Sequence, residues 1–128
     1  MNSFPTIEEV HAILDEIAEE LPQELFEKLN EGIILLPEYK MHPESRATDI
    51  LYIMGEYSHG ITGRRITIYY GSFKKIYSGT SLIALREKLK GTLLHEFTHH
   101  LESLAGDKDL EIEDAENLAR YKENKLKW

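Results

Sequence analysis

Three residues have the types and the spacing of a zinc-dependent catalytic motif. His95, Glu96 and His99 form the pattern His-Glu-x-x-His. On an α-helix, side chains four residues apart lie one above the other, so the two imidazoles can converge on one zinc ion. Glu96 lies about 100° around the helix from His95, beside the metal position. A carboxylate there can take a proton from zinc-bound water and pass it to a leaving amine, which is the chemistry of a metal-dependent peptidase.

The sequence marks the third metal ligand less clearly. A catalytic zinc usually has three protein ligands and one open position. The extended pattern with a third His six residues after the second fails, because Glu102 stands at its Gly position and Ala105 at its last His. Glu102 shares the histidine face but lies roughly 10 Å along the helix axis from His95. The other candidates are the acidic residues after Gly106, which are Asp107, Asp109, Glu111, Glu113 and Asp114.

Composition excludes several other classes of function. The chain has no Cys, so disulfides, thiol catalysis and cysteine-ligated metals are excluded, and any metal must use His, Asp or Glu. Lys and Arg total 15 against 23 Asp and Glu, and the net charge of −8 argues against nucleic acid as a partner. The apolar stretches are too short to cross a membrane, and the first residues lack a signal-peptide pattern. We therefore expect a cytoplasmic protein with no membrane partner.

A long helix is predicted to carry the motif. Apolar residues recur every three or four positions across 81–105 and make one continuous stripe, comprising Leu82, Leu85, Leu89, Leu93, Phe97, Leu101 and Leu104. His95 and His99 lie opposite this stripe on the helical wheel, so the helix can pack by one face and present its histidines on the other. His100 lies near the margin of the stripe, which predicts a packing role. The three remaining histidines, His11, His42 and His59, are isolated and are interpreted as surface residues.

The rest of the chain predicts a single α+β domain over residues 1–128. Thr6 and Glu9 have the spacing of a capping box at the start of an amphipathic helix, and Pro22 can begin a second short helix. The segments 33–36, 50–54 and 65–70 are rich in apolar, β-branched and aromatic residues and predict three strands. Residues 38–48 are expected to form a loop, and residues 112–121 a last short helix.

With these residues in view, the chain resembles the minimal zincin-like metallopeptidase family of small bacterial proteins. The similarity covers nearly the whole length. Its segments include Glu19-Glu20-Leu21-Pro22, Gly55-Glu56-Tyr57, Arg65-Ile66-Thr67-Ile68-Tyr69 with Gly71 after it, and Thr92-Leu93-Leu94-His95-Glu96-Phe97-Thr98-His99-His100. The resemblance implies a minimal zincin-like fold, with N-terminal helices, a small mixed three-stranded sheet whose strand 65–70 lies beside the long active-site helix, and a short C-terminal helix.

The resemblance also implies a site. Zinc would be held by His95 and His99, with Glu96 as general base. The third ligand of the family resembles an Asp in a Gly-x-x-Asp segment soon after the second His, and the nearest local match here is Ile112-Glu113-Asp114. Asp114 is therefore the expected third ligand, ahead of Asp109 and Glu111. The chain departs from the family pattern by placing residues 101–111 in between.

Two functions from different classes follow as expectations. The first is a zinc-dependent peptidase whose peptide or protein substrate lies extended along strand 65–70, taken as an edge strand. A domain this small leaves little material for deep pockets, so we expect short or flexible peptides as substrates, or a partner that completes the cleft. The alternative is a zinc-binding interaction module of the same fold with little or no hydrolytic activity. Glu96 discriminates between them, because a structural zinc needs no acid beside it.

Overall fold

The computed structural model describes residues 4–107 and has an α+β architecture. Its elements in chain order are α1 (Ile7–Glu20), a 3-10 helix (Gln23–Phe26), β1 (Gly32–Leu36), β2 (Lys40–Met41), β3 (Tyr52–Ile53), β4 (Gly55–Gly60), β5 (Gly63–Tyr69), α2 (Tyr70–Tyr77) and α3 (Leu82–Asp107). Among the described helices, none is long and apolar enough to cross a bilayer. The predicted helix at 112–121 lies outside the described residues.

The first helix begins as the sequence predicts. The Glu9 backbone N–H donates to Thr6 Oγ1 at 3.2 Å, and the Thr6 N–H donates to Glu9 Oε1 at 2.9 Å, which completes the capping box. Val10, Leu14 and Ile17 are buried on its inner face. The segment after Pro22 is helical but forms one short 3-10 turn rather than an α-helix. α1 packs against α3, so its inner face is part of the core.

The three-stranded sheet is mixed and has the order β1-β5-β4. β5 runs parallel to β1, with Ile34 opposite Thr67, and antiparallel to β4, with Tyr57 opposite Ile66. β5 is therefore the central strand, and the expectation that 65–70 is an edge strand is wrong. The backbone groups of a central strand are already paired on both sides. Among the described strands, β4 is the edge that lies next to α3.

The strand predicted at 50–54 is also wrong in its bounds and its partners. Only Tyr52–Ile53 is a strand there, and it forms a separate two-stranded ribbon with β2, which lies within the segment predicted as a loop, 38–48. The third strand of the sheet is β4, which begins at Gly55. Helix α2 follows β5 directly and was not predicted, because Tyr70 reads as the end of a strand.

Gly55 is needed because α3 lies against the sheet at that point. A Cβ added to Gly55 would lie 2.9 Å from Thr92 Cγ2 on α3 and 3.2 Å from the Thr67 backbone oxygen. A Cβ at 2.9 Å from Thr92 Cγ2 would force a shift at this contact, so glycine lets the helix lie this close. Gly55 thus sets how closely α3 approaches the sheet.

The apolar face of α3 fills the centre of the core. Leu85, Leu89, Leu93 and Phe97 are at most 1% exposed. They pack with residues of α1, the sheet and α2, among them Ile17, Ile66, Ile68 and Phe73. The predicted stripe is confirmed for these four positions, whereas Leu82 is 61% exposed because it lies in the first turn of the helix.

We expect Gly55→Ala to lower the free energy of unfolding by about 1–3 kcal/mol, because the new methyl group overpacks the contact with α3. Urea denaturation measures this change. The matched control is Gly60→Ala at the other end of β4, where an added Cβ meets no atom within 4 Å. Equal losses in both variants would contradict the close approach at Gly55.

Candidate metal centre

His95 and His99 lie one turn apart on α3, on the side away from its buried apolar face. Their Nε2 atoms are 3.3 Å from each other. The two ring centroids are 4.8 Å apart and the ring planes cross at 88°. Both imidazoles thus present the same ring nitrogen to one point in space, which brings the two predicted ligands together.

The separation of these nitrogens fits a zinc ion. Zinc bound to imidazole has Zn–N distances of about 2.0–2.1 Å, and a tetrahedral angle between two such bonds separates the nitrogens by about 3.3–3.4 Å. The observed Nε2–Nε2 distance of 3.3 Å lies in that range. The two Nε2 atoms are therefore spaced as two ligands of one tetrahedral zinc ion would be.

Within residues 4–107, no group of three His, Asp or Glu side chains is arranged to hold a metal. Glu102 Oε1 lies 3.3 Å from His99 Nδ1, the ring nitrogen on the opposite side from Nε2. Glu102 thus contacts His99 at the ring nitrogen other than the one that faces His95. The expected third ligand, Asp114, lies outside the described residues, as do the alternatives Asp109, Glu111 and Glu113.

A cleft of about 570 Å³ opens beside His95. Its lining residues come from β3, β4, the end of α2 and the outer face of α3, and they are Ile53, Met54, Gly55, Tyr77, Glu87, Lys88, Gly91, Thr92, His95 and Glu96. The first histidine and the acid of the motif therefore share one concave surface, which is typical of a ligand site.

Glu96 is a buried acid at the wall of this cleft. It is only 6% exposed. Burial raises the pKa of its carboxyl group to about 7, and the negative charge of Glu56 adds to the shift. A carboxyl group with a pKa in that range can hold or release a proton near neutral pH, as a general base must.

Glu56 on β4 belongs to a charged cluster that the sequence analysis did not identify. Its carboxylate accepts hydrogen bonds from Lys40 Nζ at 2.8 and 2.9 Å and another from the Tyr69 hydroxyl. Burial alone would raise the pKa of Glu56, but these hydrogen bonds outweigh it and the pKa is lowered. Glu56 thus stays ionised, and its charge acts on Glu96. The three residues come from β2, β4 and β5, so no local spacing in the sequence connects them.

A second polar network holds α3 on the side opposite His95 and His99. His100 is fully buried, as its position near the apolar stripe predicts. Its Nε2 lies 2.8 Å from the Glu27 carbonyl oxygen and donates to it, so its Nδ1 accepts from the Tyr57 hydroxyl at 2.9 Å. Arg64 in turn donates to the Tyr57 oxygen at 2.9 Å and to the Ser103 hydroxyl.

Burial lowers the pKa of His100, and the nearby charge of Arg64 lowers it further. The imidazole is therefore neutral in the folded protein, as its two hydrogen bonds require. Because His100 follows His99 directly, this network fixes the rotation of α3 at the second histidine of the motif.

Comparison with known proteins gives one informative relative. A conserved hypothetical protein of T. thermophilus (TTHA0227) has a solved structure that matches with a TM-score of 0.70 and 31% sequence identity. The match covers 80% of this chain and 99% of that one. The chain belongs to the same family as this protein, whose name assigns it no activity. No protein-family model and no curated protein matches the chain.

Removal of the Tyr57 hydroxyl by Tyr57→Phe should lower the free energy of unfolding by about 1–3 kcal/mol. The variant leaves the buried Nδ1 of His100 without its donor and takes one acceptor from Arg64. Tyr77→Phe is the matched control, because the structure gives the Tyr77 hydroxyl no hydrogen bond within residues 4–107. Thermal or urea unfolding measures both variants, and a loss of stability no larger in Tyr57→Phe than in Tyr77→Phe would contradict the network.

Proposed function

We propose that the protein is a zinc-dependent metallopeptidase with a zincin-like fold. The observation that carries the proposal is the convergence of His95 Nε2 and His99 Nε2 at 3.3 Å, with Glu96 in the wall of the cleft that His95 enters. Two imidazoles at zinc-ligand spacing next to a buried carboxyl group are the parts that metal-assisted hydrolysis needs. The proposed substrate is a peptide or an unfolded protein.

Each residue has a distinct role in this proposal. His95 and His99 would hold zinc through Nε2, and Asp114 is proposed as the third ligand from the resemblance. When bound, zinc supplies a Lewis acid that polarises the scissile carbonyl group and makes water more acidic. Glu96 accepts a proton from water at the wall of the cleft and delivers it to the leaving amine. Glu102 Oε1 lies 3.3 Å from His99 Nδ1, where a carboxylate would orient His99 once that imidazole ligates zinc.

The edge strand β4 offers a place for the substrate backbone. Within the described residues its outer edge carries no neighbouring strand, whereas β5 is paired on both sides. β4 begins at Gly55, which lines the same cleft as His95 and Glu96. An extended peptide could therefore add to β4 by main-chain hydrogen bonds and bring a peptide bond to the histidines. This moves the proposed docking strand from β5, where the sequence analysis placed it, to β4.

Glu96→Gln tests the proposed hydrolysis. The variant keeps the size and burial of the side chain but cannot accept a proton, so we expect it to retain zinc and to lose at least about 100-fold in turnover. Elemental analysis gives the zinc content, and labelled unfolded casein reports the turnover. Glu87→Gln, at the exposed rim of the same cleft, is the control and should keep both.

The outcome separates the two classes of function. Turnover that survives Glu96→Gln would contradict the proposed role of Glu96. A wild-type protein that binds about one zinc per chain and cleaves nothing would favour the alternative, a zinc-binding interaction module. A wild-type protein that binds no zinc would overturn both functions.

A further inference from the structure

Gly91 lies in the interior of α3, where glycine is unfavourable for the helix. It is one turn before His95 on the same side of the helix, and it lines the cleft. Glycine loses more conformational freedom in a helix than any other residue and makes it less stable than alanine would. If the fold required glycine at this position, the structure would show either a left-handed backbone conformation or a neighbouring atom too close for a Cβ.

Neither of the usual reasons applies within the described residues. The backbone of Gly91 is helical, so no left-handed conformation requires glycine there. An added Cβ would meet no atom within 4 Å, in contrast to Gly55, where a Cβ would collide with Thr92. Gly91 therefore leaves open space on the cleft side of the helix. The absence of a side chain at position 91 leaves space for a ligand group in the cleft.

The chemistry of the cleft indicates what would enter. Its inner walls are the half-buried side chains of Ile53, Met54 and Tyr77. The charged residues Glu87 and Lys88 are exposed and lie at the rim, with Lys88 Nζ 6.0 Å from the centre of the Tyr77 ring. Thr92, His95 and Glu96 form the polar wall of the cleft. Beside that wall, the apolar surface of Ile53, Met54 and Tyr77 favours a large aliphatic or aromatic group.

We propose that the cleft beside Gly91 is a subsite for a large apolar side chain of the substrate, and that Gly91 determines the size of side chain it accepts. This proposal rests on the function proposed above and names the class of peptide it would select. The apolar side chain would enter between Tyr77 and Gly91 and place the neighbouring peptide bond next to His95. Any side chain at position 91 would occupy the same space as the ligand.

The test is ligand binding to the full-length chain without zinc. The probe is N-acetyl-phenylalanine amide, compared with N-acetyl-glycine amide, and the readout is the shift of the backbone amide resonances of residues 91–95. We expect saturable shifts with the phenylalanine probe in the wild type, at least fivefold weaker binding in Gly91→Ala, and no saturable shift in Gly91→Leu. The glycine probe should produce none.

A stability measurement on the same variants excludes a trivial loss of fold. Gly91→Ala should raise the midpoint of thermal unfolding by about 2–5 °C, because alanine is the better helix former. The matched control is Gly106→Ala near the end of α3, where an added Cβ also meets no atom. It should leave probe binding unchanged. Higher stability together with weaker probe binding in Gly91→Ala would show that Gly91 serves ligand binding rather than folding.

Two results of the binding measurement would overturn the subsite. One is the absence of saturable shifts with the phenylalanine probe in the wild type, and the other is equal affinity in Gly91→Leu. The probe-binding measurement requires neither zinc nor turnover. Probe binding can therefore be observed even if the protein has no peptidase activity. Conversely, an active peptidase whose cleavage sites are the same in wild type and Gly91→Leu would contradict the subsite alone.

Discussion

The burial of one face of α3 is the interaction on which the rest of the structure depends. Leu85, Leu89 and Leu93 are at most 1% exposed, and each such side chain contributes about 1.5–3 kcal/mol when it leaves water. Their positions on the helix fix its rotation relative to the sheet. His95 and His99 are consequently held on the opposite side, and Glu96 is held at the boundary between core and cleft.

Two further contacts set the depth and the register of the helix. Gly55 lets α3 lie directly against β4, so the cleft beside His95 has a strand as its other wall. The hydrogen bonds of His100 with Tyr57 and the Glu27 carbonyl fix the same helix next to His99. The buried apolar face thus contributes most of the stability. The hydrogen bonds of His100 and the close contact at Gly55 fix the position of α3 relative to the sheet.

Much of this arrangement could be predicted from local patterns. The capping box of α1, strand β1 and the apolar stripe of α3 depend on residues a few positions apart, and the structure confirms them. β4 was not predicted because its sequence, Gly-Glu-Tyr-Ser-His-Gly, has no β-branched residue, and its pairing with β5 exists only in the folded chain. The Lys40, Glu56 and Tyr69 cluster likewise exists only after three strands are brought together. Asp114 stays a prediction.

The central claim is that His95 and His99 ligate one zinc ion through Nε2. The proposed roles of Glu96 and of the cleft both depend on that ion. X-ray absorption at the zinc edge of the zinc-loaded, full-length protein tests the claim most directly, because it reports the ligands rather than the activity. We predict about one zinc per chain, with two imidazole nitrogens at about 2.0–2.1 Å and oxygen atoms completing the shell. A spectrum with no imidazole scattering, or a protein that takes up no zinc, would contradict it.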